Sequence, residues 1–378
     1  MGFPYDVWVA TVWARTRSRE RLERLTASTT GSEELQREVV ADLRRTIGFD
    51  RWCWPSADPT TLLPGPGLAE HDDGPLLPRT LELEYSGSDV ATKEQAARSG
   101  PGVVTMSLAT DGDLARSPRW DDVLRGVGIG DTAIVACRDG HGCWAWLEIY
   151  RDGADAPFAV EDLELLGQLA PALGTALRRR SAVAVDGRLT DASSATAAHL
   201  PDGAEADGQA AAGVLLFDGE LRLVGRTTTA QEWLATLPGA QLFASWGILE
   251  PAVYAAAVRA RAGRESGARL LGRTTAGGRA QIEAARVVDS TQVAVTLRAA
   301  TPQEIFRSAA RMHGLSGREQ DVAVHVAAGL DTAAIAHGLF ISPWTVQDHL
   351  KSVFTKLGVH SRGGVMARLG GLGGEQLP

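Results

Sequence analysis

Residues 341–358, ISPWTVQDHLKSVFTKLG, leave little choice of structure. Ser342 suits a helix N-cap, where a side-chain oxygen accepts from a first-turn amide. Pro343 suits the first helical position, where its missing amide costs nothing. Gly358 can take the left-handed conformation that ends a helix. Between them, at about 100° per residue, Val346, Leu350, Val353, Phe354 and Leu357 gather on one side. The opposite side carries Trp344, Asp348, Lys351, Ser352 and Thr355, with Thr345 and Gln347 as shoulders. The spacing predicts one helix with a marked start, a marked stop and a polar outer face.

Its neighbours are just as well marked. In LSGREQDVAVHVAAGL, Ser316 and Glu319 have the spacing of a capping box, Val322 and Val326 share an inner face, and Gly329 can close the helix. A second helix, about Thr332 to Leu339, buries Ile335, Ala336 and Leu339 before the short connection Phe340-Ile341. A fourth starts at Ser361 and offers Val365, Met366 and Leu369. Two short helices tightly joined, the second with a polar face, make a helix-turn-helix whose second helix fits the major groove. The alternative is a helical docking module with a solvated face.

Leu315, Arg318-Glu319, Val322, Ala328-Gly329, Ile335-Ala336, Leu339, Ile341-Ser342, Thr345-Val346, His349-Leu350, Lys356-Leu357 and Ser361-Arg362 together carry a specific resemblance. The segment is similar to the LuxR-type helix-turn-helix of bacterial transcription regulators. The resemblance covers the last fifth of the chain. It implies that the third helix reads DNA, that the helix-turn-helix spans Thr332 to Lys351, and that the fourth helix pairs two subunits. Carried over, Thr345, Gln347, Asp348 and Lys351 face DNA, with Trp344, Ser352 and Thr355 on the same surface. Ser342, Lys356 and Arg362 contact phosphates or brace the fold. Asp348 reads as a specificity residue, since a carboxylate accepts from the cytosine amino group and repels phosphates. Trp344 departs from the family's usual polar or basic residue. Its contact is left open between a thymine methyl, a second subunit, and neither. Gly363-Gly364 in the fourth helix cost up to about 1 kcal/mol each relative to Ala, which shifts pairing toward the amino-terminal block.

Over residues 314–369 the bases Arg318, Lys351, Lys356, Arg362 and Arg368 stand against Glu319, Asp321, Asp331 and Asp348, so the module is nearly neutral. Few phosphate contacts imply weak binding by one module, and two modules on two half-sites would supply effective concentration. His325, His337, His349 and His360 also fall here, with His313 just before them, and packing or surface roles are expected for all five.

The chain's 378 residues exceed what one core usually fills, so two or three domains are expected. The small, polar, acidic stretch 183–211 reads as a flexible linker. Before it, Glu33 to Ile47 has helical spacing, with Leu35, Val39, Leu43 and Ile47 on one face. DTAIVACRDGHGCWAWLEIYRDG reads as two strands around Asp139-Gly140-His141-Gly142, and Leu165, Leu169, Leu173 and Leu177 stripe a closing helix. This block resembles a GAF domain, which implies a pocket over the sheet that Trp52, Trp54, Trp144 and Trp146 would line. The alternative makes these core or dimer-contact aromatics. After the linker, GVLLFDGELRLVG reads strand, turn at Asp218-Gly219, strand, then a short helix with Trp233 and Leu234. Later strands turn at Ala276-Gly277-Gly278 and near Asp289-Ser290. That block resembles a degenerate PAS fold without its cofactor residues. The expected fold class is therefore α+β and multidomain: GAF-like and PAS-like antiparallel-sheet sensor domains, then an all-α four-helix module. The expected divisions are an N-terminal segment 1–30, a GAF-like domain 31–182, the linker 183–211, a PAS-like domain 212–300, a linker 301–313, the helix-turn-helix domain 314–370 and a tail 371–378.

Other classes are excluded by what is missing. No apolar run approaches the roughly 18 residues of a membrane span, and the amino terminus lacks signal-peptide features, so a cytoplasmic protein is expected. Cys53, Cys137 and Cys143 form no C-x-x-C pair, and neither disulfides nor a metal site is expected. The only lysines are Lys93, Lys351 and Lys356, so a Walker loop and a receiver domain's late lysine are both absent. No H-E-x-x-H or G-x-S-x-G occurs. His141 and Cys143 come nearest to a reactive pair, but the turn at Gly142 sets them apart. No enzyme and no cofactor are expected. The reading that remains is a one-component transcription regulator on double-stranded promoter DNA, as a homodimer, with room for RNA polymerase and a small-molecule effector as partners. The alternative is a small-molecule sensor whose helical tail docks a protein.

Overall fold

The computed structural model describes residues 5–28, 31–70, 74–192 and 211–369, with side chains from 13 and not over 184–192. Two compact units divide the chain. One holds Met1–Leu177, Ala212–Leu270 and Ile282–Leu297; the other holds Arg178–Ala211, Leu271–Gln281 and Arg298–Pro378. Both sheet-bearing blocks thus have most of their residues in the first unit. No helix among the described residues is long and apolar enough to cross a membrane.

The first block opens on α1 (Tyr5–Ala27) and α2 (Ser32–Thr46). Strands β1 (Arg51–Ala57) and β2 (Pro64–Ala69), helices α3 (Leu77–Ser86) and α4 (Lys93–Arg98), strand β3 (Val103–Thr105) and helix α5 (Met106–Ala109) follow. Then come β4 (Ile129–Asp139), β5 (Gly142–Asp152) and α6 (Val160–Ala192). The sheet is antiparallel with order β2-β1-β5-β4-β3. The β4–β5 hairpin closes over the expected turn, where the Asp139 carboxylate accepts from the His141 amide at 2.9 Å. Ile134, Val135, Ala136 and Cys137 are all buried, so both sheet faces are covered and strict alternation of apolar and polar residues is not needed. Leu35, Val39 and Leu43 of α2 are fully buried, and Leu165, Leu169, Leu173 and Leu177 of α6 form the expected stripe. Gly174 lets α6 lie against β4, since a Cβ there would sit 2.4 Å from the Arg138 carbonyl carbon.

Of the expected divisions around this block, the linker 183–211 needs correction at its start. The N-terminal segment 1–30 holds the long helix α1, fixed as much by polar contacts as by its buried Leu22. Ser18 donates to Asp42 at 2.5 Å, Arg21 pairs with Asp42 at 2.8 Å, and Arg15 pairs with Asp162 at 2.6 Å. The closing helix α6 continues to Ala192, through the first ten residues of the stretch read as linker. The remainder of that stretch, 193–210, and the tail 371–378 lie outside the described residues.

The second block runs β6 (Gly213–Phe217), β7 (Leu223–Arg226), α7 (Thr228–Thr236), α8 (Ala240–Ser245), α9 (Pro251–Arg261), β8 (Arg269–Arg273), β9 (Arg279–Arg286) and β10 (Val293–Ala299). Its sheet has order β7-β6-β10-β9-β8. Val293, Val295 and Leu297 face Phe217, Leu215 and Gly213 across the central pair, and all three apolar β10 residues are fully buried. The expected turns fall at 218–222, 274–278 and 287–292. Trp233 of α7 is fully buried.

The C-terminal helices are α10 (Pro302–Met312), α11 (Gly317–Ala327), α12 (Thr332–Leu339), α13 (Pro343–Leu357) and α14 (Arg362–Leu369). Residues 301–313, read as a linker, instead form α10. Its start signal is a capping box: Thr301 accepts from the Glu304 amide at 3.3 Å, and Glu304 accepts from the Thr301 amide at 2.8 Å. With two antiparallel sheets and this all-helical end, the fold is α+β and multidomain, as expected.

Candidate nucleic-acid interface

Caps position every helix of the C-terminal module. Ser316 and Glu319 complete the expected capping box of α11, and Asp331 accepts from the Ala334 amide at 2.8 Å to start α12. Phe340 closes α12 in the left-handed region, at φ 55° and ψ 45°. Ser342 then accepts from the Thr345 amide at 3.0 Å to start α13, and Gly358 ends it at φ 65°. Val346, Leu350, Val353 and Leu357 enter one core with Phe306, Val322, Val326, Ile335, Val365 and Leu369. Phe354 packs on its edge.

With that face buried, the opposite face of α13 is presented outward. Trp344, Gln347, Asp348 and Lys351 are exposed, and Asp348 and Lys351 stand 3.7 Å apart. The other candidates carry internal bonds. The hydroxyls of Ser342 and Thr345 lie 2.8 Å apart at the cap, and Thr355 donates to the Lys351 carbonyl at 2.9 Å. Ser352 and Lys356 donate to the two oxygens of Glu319 at 2.5 and 2.6 Å. Arg362 reaches back to the Leu330 carbonyl and the Thr332 hydroxyl, at 2.5 and 2.9 Å, bracing the start of α12. Burial pushes the Glu319 carboxyl up, but the Lys356, Ser352 and Ser316 bonds win and hold it at about 2.

The four candidate pocket tryptophans, Trp52, Trp54, Trp144 and Trp146, do not converge. Trp52 pairs with Ile149 and Cys53 with Glu148, so Trp52 and Trp54 share one sheet face while Trp146 shares the other with Glu148. Trp144 sits at the hairpin end, its indole donating to Asp139 at 3.0 Å. On the Glu148 face there is instead a buried ionic cluster that the sequence reading missed. Lys93 meets Glu148 at 2.6 Å, Arg119 pairs with Glu84 and, at 3.0 Å, with Asp89, and Cys53 and Tyr150 both donate to Glu148. Burial works against the charge on Lys93, but Glu148 and Glu84 reverse it and leave its pKa raised. Burial likewise works against Glu148, and Lys93 leaves its pKa lowered. Lys93 was marked only by rarity; its partners are distant in the chain and carry no local signal.

Residues 313–367 match the family model described as bacterial regulatory proteins, luxR family. The C-terminal module is a LuxR-family helix-turn-helix domain. No curated protein matches the chain in sequence. Among solved structures, the chain is similar to "SdiA in complex with octanoyl-rac-glycerol", with 14% identity, 98% of each chain covered and a TM-score of 0.34.

Within the LuxR-family domain, the sequence reading also passed over Phe340. Its side chain is 93% exposed, close in sequence to Trp344 at 75%. A phenylalanine between two helices suggests a buried staple, and only the left-handed turn shows that the ring leaves the core.

Proposed function

We propose that the chain is a one-component transcription regulator that binds double-stranded promoter DNA through α13 as a homodimer, with the two sheet blocks serving sensing and pairing. The observation that carries this reading is the division of α13 inside a LuxR-family domain. Its apolar face is in the core, and Gln347, Asp348 and Lys351 point outward. A helix so placed puts its first turns against base edges in the major groove. There Gln347 suits adenine, Asp348 accepts from a cytosine amino group, and Lys351 donates to guanine or to a phosphate. Ser342 and Thr345 stand at the helix start, where amides and hydroxyls meet the backbone.

Lys356 and Arg362 are engaged in bracing, so few cations are left for phosphates. One module then binds weakly, and pairing supplies the rest through effective concentration. The test is retardation of fragments from the chain's own upstream region by full-length protein. Lys351→Ala is expected to weaken the retarded complex about tenfold. Sequence-specific binding that survives deletion of residues 314–378 would sink the assignment. Failure of the intact protein to retard any DNA would favour a sensor whose helical tail docks a protein.

A further inference from the structure

Every strongly apolar side chain of α13 is buried or packed on the core except one, Trp344. Phe340, four residues earlier, is more exposed still. We infer that these two rings form an apolar contact that reads thymine methyl groups at the edge of the bases facing α13, resting on the DNA-reading role proposed above.

Three observations point the rings at DNA. Trp344 precedes Gln347 and Asp348 by three and four residues, which places it on their face of α13, one turn nearer the helix start. That end of a groove-bound helix is the one closest to base edges. Phe340 ends α12 two residues before the cap Ser342, so both residues flank the same helix start. The turn itself does not call for a phenyl group. At φ 55° glycine or asparagine would sit with less strain, and the ring makes no use of the core.

The chemistry then narrows the target. In the major groove the thymine C5-methyl is the apolar feature that marks one base from the others, and apolar side chains contact it. A module with Lys356 and Arg362 committed to bracing draws little from phosphates, so burial of two rings would contribute both affinity and sequence preference. DNA is favoured over a second copy as occupant because Trp344 continues the exposed face of α13 that carries Gln347, Asp348 and Lys351.

The experiment uses full-length protein and a duplex recovered by it from a random-sequence library. Each thymine of that duplex is replaced in turn by deoxyuridine, which removes only the methyl group. At one or two thymines per half-site the affinity is expected to fall about three- to tenfold. In Phe340→Asn, which suits the left-handed turn, and Trp344→Gln, which suits an exposed helix, that fall is expected to disappear at the matching thymine. Melting temperatures near the unmodified protein's establish that both variants fold. A duplex bound tightly but indifferent to every deoxyuridine overturns the inference and leaves the DNA reading intact. So does full methyl sensitivity in both variants. Loss of dimer in either variant would assign the rings to a second copy and overturns it too. Recovery of no duplex at all overturns the DNA reading, and this inference with it.

Discussion

Glu319 shows how one residue can serve two levels of structure. Its carboxylate closes the capping box of α11 and, from the same position, receives Ser352 and Lys356 of α13. The folded pKa of about 2 lies below the ordinary carboxylate range, so the ionised form is the one the fold prefers. The linked stability is fully present above the unfolded-state pKa and is lost as pH falls through the window down to about 2. Glu319→Gln is therefore expected to lower the module's stability by about 1–3 kcal/mol at pH 7, with the gap to the unmodified protein closing toward pH 2. Denaturant unfolding across pH measures this; a gap that stays constant with pH would show that the carboxylate's charge is not what matters. The sequence disclosed the capping half of this role, because Ser316 lies three residues away. The bracing half stayed hidden, because Ser352 and Lys356 lie 33 and 37 residues away. For the same reason Lys356 and Arg362 could be read as phosphate ligands or as braces, and only their tertiary partners show which bonds they make.

At the scale of an element, α14 carries two adjacent glycines in its first turn, with opposite surroundings. A Cβ at Gly363 would meet nothing closer than the Ser361 hydroxyl at 3.9 Å, whereas one at Gly364 would lie 2.9 Å from the Val359 Cβ. Gly363→Ala is expected to stabilise the module by a few tenths to about 1 kcal/mol through helix propensity. Gly364→Ala is expected to destabilise it by about 1–2 kcal/mol, because Val359 must shift. Thermal melting of both variants in parallel checks the sign difference, and two changes of the same sign would contradict it. Propensity alone assigns both glycines the same cost, which is why periodicity could place this helix without ranking its residues. α10 makes the converse case. Its capping box, Thr301 to Glu304, was legible, but an adjacent run of alanine, threonine and proline read as a linker. Composition misled there where cap chemistry would not have. The caps of α11 and α13 and the stripes of α2 and α6 were legible because each depends on residues within a few turns of one another.

At the scale of the whole molecule, the sheet blocks meet inside one compact unit, through α3 and α4 of the first and α9 with its following turn in the second. Arg259 is buried there, its guanidinium donating to the Thr61 carbonyl and lying 5.3 Å from the centre of the Tyr85 ring. Arg261 pairs with Glu82 at 2.6 Å, and Arg264 with Glu94. The same two short helices face inward to the ionic cluster through Glu84 and Lys93. α3 and α4 are thus a shared wall: neighbours in sequence, Lys93 and Glu94, serve the first block's interior and its joint with the second. Periodicity describes one element's faces and says nothing of which block a second face will meet, so this joint was not legible. It has a measurable consequence. Glu94→Arg would leave Arg259, which lies 3.9 Å from the Glu94 carboxylate, and Arg264 facing a like charge, and is expected to destabilise the unit by about 1–3 kcal/mol and to separate the unfolding of the two sheets in calorimetry. Adding Arg264→Glu restores an opposite pair and is expected to recover part of the loss, with a coupling of about 1 kcal/mol in the double-mutant cycle. Recovery would be incomplete because Arg259 still faces the new arginine. If Glu94→Arg leaves a single unchanged transition, the ion pairs of Glu94 are not what couples the two sheets.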